Sequence, residues 1–432
     1  MKIHILAIAG SMTTSLAIAL KKQGHLVSGT DQEKIFPPFS TQLLGADIPI
    51  NSTKIDSTID LCIIGSAYSK FSRCVNEFET IKSLNIPYIS ATEYLSQNLV
   101  KSESIVVAGS FGKTTITTLL SFLFTKLKLN PNYFFGGQSV DNLPSLNFSD
   151  SNWSVVEGDE SINGLDTQAK FFSYHPKYLI LTSAQWEHKE SYLTFQDNFN
   201  AFKKLVELLP QDGILVYNPH DTEISNILPY CQATKTPYQS FDFDTNLIGH
   251  HNHENICATL TLIKALNLNI DQSLNFIKEF HGVSRRLEIK NKNKNIIIDD
   301  FAQSANRILQ SLNAVKSSYP QKSLKVYFEP HASFLQNKSA IKDYATTFDG
   351  AEEVVLSQIK FNSNISKADR VTASTYREVI GKKLVYLPSN DEIFNHYINT
   401  LKPSDILIHF SSGGLDGLNN LDRIIAILNT SL

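Results

Sequence analysis

The 432-residue chain is poor in several features that would mark common function classes. Its four cysteines, Cys62, Cys74, Cys231 and Cys257, are scattered and form no C-x-x-C pair, so neither a disulfide framework nor a zinc site is expected. They read as buried thiols of a protein in the reducing cytoplasm. No apolar run approaches the ~18 residues that a membrane-spanning helix needs, so no membrane partner is expected. Positive charge is not in excess: 39 Lys and Arg stand against 42 Asp and Glu, a formal net charge of −3. Such a chain has no general attraction for nucleic acid, and anionic ligands would need local basic groups. Nor is there a Ser–His or Cys–His arrangement of the kind that covalent catalysis uses.

What is present is alternation. The first 22 residues, MKIHILAIAGSMTTSLAIALKK, have the lysine and apolar stretch of a secretion signal. The apolar part is short, however, and is broken by Gly10, Ser11, Thr13, Thr14 and Ser15. GHLVSGTD then reads as a second strand ending in an acid. Strand, small-residue turn, helix, strand, acid is the opening of a nucleotide-binding α/β unit. Gly10, Ser11, Met12, Asp31 and Ser66 are its candidate ligand contacts.

Strand-like runs alternate with helical stretches to the end of the chain, which predicts parallel-sheet α/β architecture in several domains. The expected strands are IHILAIA, HLVSGTD, LCIIGS and PYIS, then SIVVAGS, WSVVEGD, YLILTS and GILVYN, then NIIIDD, LKVYFEP, EVVLSQI and DILIHFS. NHENICATLTLIKAL reads as a helix, and RRLEIKNKNKNIIIDD as a polar hairpin. The expected domains are 1–101, Rossmann-like; 102–282, holding a phosphate loop; and 283–432, again Rossmann-like.

The strongest motif is GSFGKTT, residues 109–115, between a β-branched run and a helical one. Glycines at 109 and 112 let backbone N–H groups turn toward phosphate oxygens, helped by the positive end of the following helix. Ser110, Phe111 and Thr115 complete the loop. Lys113 would neutralise the β- and γ-phosphates of ATP and the Thr114 hydroxyl would bind Mg²⁺. Glu157, ending the strand WSVVEG, could complete the Mg²⁺ shell; a solvated acid is the alternative. His188 follows the strand YLILTS, and a structural histidine is its alternative. Asn252 and Asn255 open a helix, where they suit an adenine edge or a helix cap. Arg285 and Arg286 stand at the expected start of the third domain, and Asp299–Asp300 end one of its strands.

Together these segments resemble the Mur ligase family, the ATP-dependent enzymes that build the peptide stem of peptidoglycan. The resemblance runs over essentially the whole chain with the motifs in order. GSFGKTT looks like the family's short G-T-x-G-K-T-T loop, VVEGDES like its acid motif, TSAQWEHKES like its strand-end Asp-His motif and GHHNHENICA like its G-R-H-N-x-x-N. It implies Lys113, His188 and Arg286 as catalytic groups and Thr114, Glu157 and His188 as Mg²⁺ ligands. It further implies Asn252 and Asn255 at the adenine and Asp300 at the ribose. Within the family, IFPPFSTQL and FSSGGLDGL look closest to the murein peptide ligases, which attach L-Ala-γ-D-Glu-meso-diaminopimelate to UDP-N-acetylmuramate. UDP-N-acetylmuramate–L-alanine ligases are the nearest alternative, and a diverged Mur-like ligase joining other substrates and a non-ligating nucleotide-binding relative are others. The implied partners are small molecules: a UDP-sugar in the first domain and an amino acid or peptide, acted on by a monomer or homodimer.

The chain also departs from the family pattern. AIAGSMTTS keeps Gly10 but has Ala7, Thr14 and Ser15 where the murein peptide ligases carry glycine. DDFAQSA has Gln303, Ser304 and Ala305 in place of His-His-Pro. Ala332 stands where alanine ligases have arginine, and Glu187 where aspartate is usual. Lys203 lies near a lysine that is carbamylated in some relatives, though not in the closest ones.

Overall fold

A computed structural model describes residues 1–186, 191–330, 341–359, 370–411 and 415–430. His188, Glu187, Ala332 and the Gly413–Gly414 pair lie outside the described residues. The chain divides into two compact units, Met1–Asn246 with Asn252–Gly282, and Leu247–His251 with Val283–Leu432.

The first unit holds two sheets. One contains β1 (Lys2–Leu6), β2 (Leu26–Thr30), β3 (Leu61–Ile64) and β4 (Tyr88–Ser90) in the order β2-β1-β3-β4, all parallel. The other contains β5 (Glu103–Ala108), β6 (Asn132–Phe134), β7 (Leu146–Asn147), β8 (Trp153–Gly158), β9 (Tyr178–Leu181), β10 (Ile214–Tyr217) and β11 (Thr234–Pro237). Its order is β11-β10-β9-β5-β8-β6-β7, and only β7 runs antiparallel to its neighbour. β5 is therefore interior, and its residues Ile105–Ala108 have no exposure. A continuous β-branched run is what a strand covered on both faces requires.

The second unit has one sheet of β12 (Glu288–Asn291), β13 (Ile296–Asp300), β14 (Ser323–Glu329), β15 (Glu353–Leu356), β16 (Leu384–Tyr386) and β17 (Asp405–Ser411). The order is β12-β13-β17-β14-β15-β16. β12 pairs antiparallel with β13, as the polar hairpin predicts, and the remaining pairs are parallel. Alternate residues split its core in two. Ile296, Ile298, Val326, Phe328, Ile406 and Ile408 pack on one face, and Ile297, Tyr327, Val355 and Leu407 on the other.

All four cysteines are buried free thiols. Among the described residues no helix is long and apolar enough to cross a membrane.

Candidate active site

The interior strand β5 ends at Ala108, and residues 109–112 turn into the helix Lys113–Lys126. In open parallel sheets ligands sit beyond the carboxyl ends of the strands, where this turn lies. Two positions in it demand glycine. Gly109 adopts φ +125°, and a Cβ there would lie 2.3 Å from Thr182 Oγ1 and 2.6 Å from the Ser183 backbone. Gly112 caps the helix at φ +78°, and its Cβ would lie 2.4 Å from Asn255 Oδ1. The turn is thus pressed against β9's end on one side and the helix His250–Ala265 on the other. Ser110 Oγ donates to the Gln185 carbonyl at 2.7 Å, and Thr182 Oγ1 donates to the Phe111 carbonyl.

The side chains of the loop meet carboxylates. Lys113 Nζ lies 2.9 Å from Glu160 Oε2 and 3.1 Å from its Oε1, and also donates to the Gly109 carbonyl. Thr114 Oγ1 donates to Glu157 Oε1 at 2.7 Å, and the other Glu157 oxygen accepts from Gly136 N at 2.6 Å. β8 lies beside β5 with Glu157 opposite Val107, which sets the carboxylate beside the loop. A hydroxyl and a carboxylate side by side are hard oxygen donors of the kind Mg²⁺ takes. Asp159 is committed elsewhere. Burial would raise its pKa, but Lys170 at 2.8 Å and the Ser161 hydrogen bonds outweigh this and hold it at about 2.

Asn252 and Asn255 are both buried, and Asn255 Nδ2 reaches Asn252 Oδ1 at 3.4 Å. They stand inside the helix, not at its cap, and Asn255 touches the phosphate loop. The first unit therefore gathers residues 109–115, Glu157, Asn252 and Asn255. Glu160 was not singled out by the sequence, although it stands three residues after Glu157 in the same motif. Lys203 lies on the helix Phe195–Glu207, with Nζ 4.0 Å from the Tyr230 ring centre and 3.9 Å from Glu207 Oε1.

The glycine-poor loop after β1 is closed by its own side chains. Thr13 Oγ1 donates to the Ala7 carbonyl at 2.9 Å and accepts from Gly10 N at 3.1 Å. Thr14 Oγ1 donates to the Ile8 carbonyl at 2.9 Å. Asp31, 3% exposed, accepts from Ala9 N at 2.8 Å and Gln32 N at 2.8 Å. It braces the loop from within. Ser11 is exposed, and Met12 and Ser66 are half-buried.

In the second unit Asp300 also turns inward. It accepts from Ala302 N at 2.6 Å, Leu287 N at 2.9 Å and Ser311 Oγ at 3.2 Å, and burial lifts its pKa to about 6. Arg286 is exposed. Its neighbour Arg285 is engaged in the fold, with Nε 3.2 Å from Asp299 Oδ2 and Nη2 donating to the Ser411 carbonyl at 2.6 Å. Below them His409 is fully buried between Asp299 Oδ1 at 2.7 Å and Glu329 Oε2 at 3.0 Å. Burial disfavours the charged ring, but the two carboxylates outweigh it and raise its pKa to about 9.

A glycine-turned phosphate loop on an interior parallel strand, with a lysine at its end and a carboxylate on its threonine, defines a P-loop nucleotide-binding protein. Residues 107–236 match the Mur ligase middle domain, and residues 2–102 match the catalytic domain of the same family. The chain is 28% identical over 448 residues to a UDP-N-acetylmuramate–L-alanine ligase of Clostridium kluyveri, covering 95% of each. It is 24% identical over 457 residues to the UDP-N-acetylmuramate–L-alanyl-γ-D-glutamyl-meso-2,6-diaminoheptandioate ligase of Escherichia coli, covering 97% of each. In fold it is similar to the crystal structure of a UDP-N-acetylmuramate–alanine ligase from Thermotoga maritima, with a TM-score of 0.77, 20% identity and full coverage of both chains. The chain belongs to the Mur ligase family, whose members are ATP-dependent ligases that form an amide bond.

Proposed function

We propose that this ligase joins L-Ala-γ-D-Glu-meso-diaminopimelate to UDP-N-acetylmuramate, using ATP and Mg²⁺. IFPPFSTQL and FSSGGLDGL support the peptide as amine substrate. The 28% identity to the Clostridium kluyveri enzyme favours the second reading, L-alanine as the amine.

In either case the observation that carries the chemistry is the loop at Gly109–Thr115 with Glu157 on Thr114. The UDP-sugar belongs to residues 1–101, where the amides of Ser11, Met12 and Thr13 at the start of a helix would meet an anionic group. ATP belongs to residues 102–282, with phosphates on the loop amides and Lys113 and the adenine toward Asn252 and Asn255. The substrate carboxylate attacks the γ-phosphorus, ADP leaves, and an acyl phosphate forms. The amine then attacks the acyl carbon, loses a proton, and phosphate departs. Lys113 and the loop amides offset charge on the transferring group. Thr114 and Glu157 would hold Mg²⁺, which supplies further charge compensation when bound.

The test is phosphate release from ATP by the purified protein with UDP-N-acetylmuramate and either L-alanine or the tripeptide. The expected result is turnover only with acid and amine together, faster with the tripeptide. Lys113→Ala is expected to cut kcat/KM by at least ~10²-fold. No product from either amine would remove both readings.

A further inference from the structure

We propose that Glu160 is a positioning residue that competes with the nucleotide for Lys113. By retaking the lysine once the terminal phosphate is gone, it lowers the loop's hold on ADP. The inference rests on the reading of residues 109–115 as the ATP site and adds a residue that the phosphate-loop motif does not contain.

The geometry is that of a latch. Lys113 Nζ sits between both Glu160 oxygens, at 2.9 and 3.1 Å, with the Gly109 carbonyl as a third acceptor. The pair is buried, the side chains being 13% and 2% exposed. Glu160 is itself held in place, because its carbonyl accepts from the Tyr192 hydroxyl at 2.6 Å and Tyr192 is only 7% exposed. Asp159, the neighbouring acid, is tied to Lys170 and does not share the task.

In this arrangement the lysine that should neutralise phosphate is already neutralised. A phosphate can take it only by offering more to the ammonium than a fixed carboxylate at hydrogen-bonding distance does. Buried ion pairs are costly to separate, so the competition is between two strong partners. A triphosphate presents β- and γ-oxygens together and wins the lysine. After transfer the γ-phosphoryl group has left with the acyl phosphate, and the remaining β-phosphate competes less well. Glu160 then reclaims Lys113, and ADP loses a contact at the moment when it has to leave.

The experiment measures ATP and ADP binding separately, by calorimetry with Mg²⁺ and without acid or amine. It uses wild type, Glu160→Gln, Glu160→Asp, Lys113→Ala and the double variant Lys113→Ala/Glu160→Gln. Glu160→Gln keeps the volume and removes the charge. It is expected to bind ADP at least tenfold more tightly, ATP by at least as large a factor because in wild type ATP must first break the pair, and to release ADP more slowly in stopped flow. Glu160→Asp, which draws the carboxylate back, should fall between the two and serves alone if the glutamine variant does not fold. In the Lys113→Ala background the Glu160→Gln gain should vanish, an outcome that a packing role would not give. Unchanged or weaker ADP binding by folded Glu160→Gln, or by folded Glu160→Asp where it stands alone, overturns the proposal while leaving the ATP site intact. A wild type that binds neither nucleotide overturns the ATP-site reading itself, and the latch with it.

Discussion

At Gly112 the backbone leaves no room for a methyl group. An L-residue at φ +78° costs about 1–2 kcal/mol, and the new Cβ would meet Asn255 Oδ1 at 2.4 Å. Gly112→Ala is therefore expected to lower the urea midpoint and, more sharply, to weaken ATP binding by about tenfold or more, because relief must come from the loop or from Asn255. Calorimetric ATP titration beside an unfolding curve separates the two effects. The demand for glycine here was legible in the sequence, because a phosphate loop needs backbone N–H groups free of a Cβ. The fates of the acids were not. Asp31, Glu157, Asp159, Glu160 and Asp300 all stand at or just after strand ends, where any of them suits a ligand. Which of them faces the loop depends on partners distant in sequence: Gly136 for Glu157, Lys170 for Asp159, Leu287 and Ser311 for Asp300.

The loop between β1 and the helix Ser11–Lys22 shows how an element keeps its shape with fewer glycines. Ala7 stands at φ +54°, a conformation that glycine takes without penalty. The Thr13 hydroxyl offsets this by bridging Gly10 N to the Ala7 carbonyl, while Thr14 fastens Ile8. Thr13→Val keeps the branching and removes both bonds. It is expected to cost about 1–3 kcal/mol, since a buried acceptor and donor lose their partner, seen as a lower urea midpoint, with UDP-sugar affinity falling as the helix start loosens. The threonines looked like losses when the loop was read residue by residue, because a hydroxyl's partner at Ala7 or Ile8 is not visible in a pattern. The strands were far more legible. Runs such as SIVVA, WSVVEG and DILIHFS fall on β5, β8 and β17, where largely β-branched or apolar residues fit strands buried on both sides. β7, with two residues, and β11, reading TKTP, have no such signal. They exist because a neighbouring strand offers an edge.

Across the whole molecule, the second unit is organised around a buried charge cluster that pH can test. His409 titrates at about 9 in the fold and near 6.5 when unfolded, so the folded state binds its proton more tightly. Its contribution to stability is complete below about pH 6.5, declines as pH rises, and is lost above about 9. Thermal melting from pH 6.5 to 10 should fall along that course, and His409→Gln should flatten it; a wild-type melting temperature that is level over this range would contradict the cluster's role. The alternation of strands and helices was enough to predict three parallel sheets. The cluster was not foreseeable, because Asp299, Glu329 and His409 lie on three strands that become neighbours only through the order β13-β17-β14. The burial of every cysteine has a use of another kind. Desolvation raises the thiols of Cys62, Cys74, Cys231 and Cys257 away from their reactive form. The natural chain is thus a quiet background for thiol-directed probes. A fluorophore on a cysteine introduced at exposed Leu44 in the first unit, or at exposed Asp422 in the second, could be attached without first stripping the protein of its own sulfur.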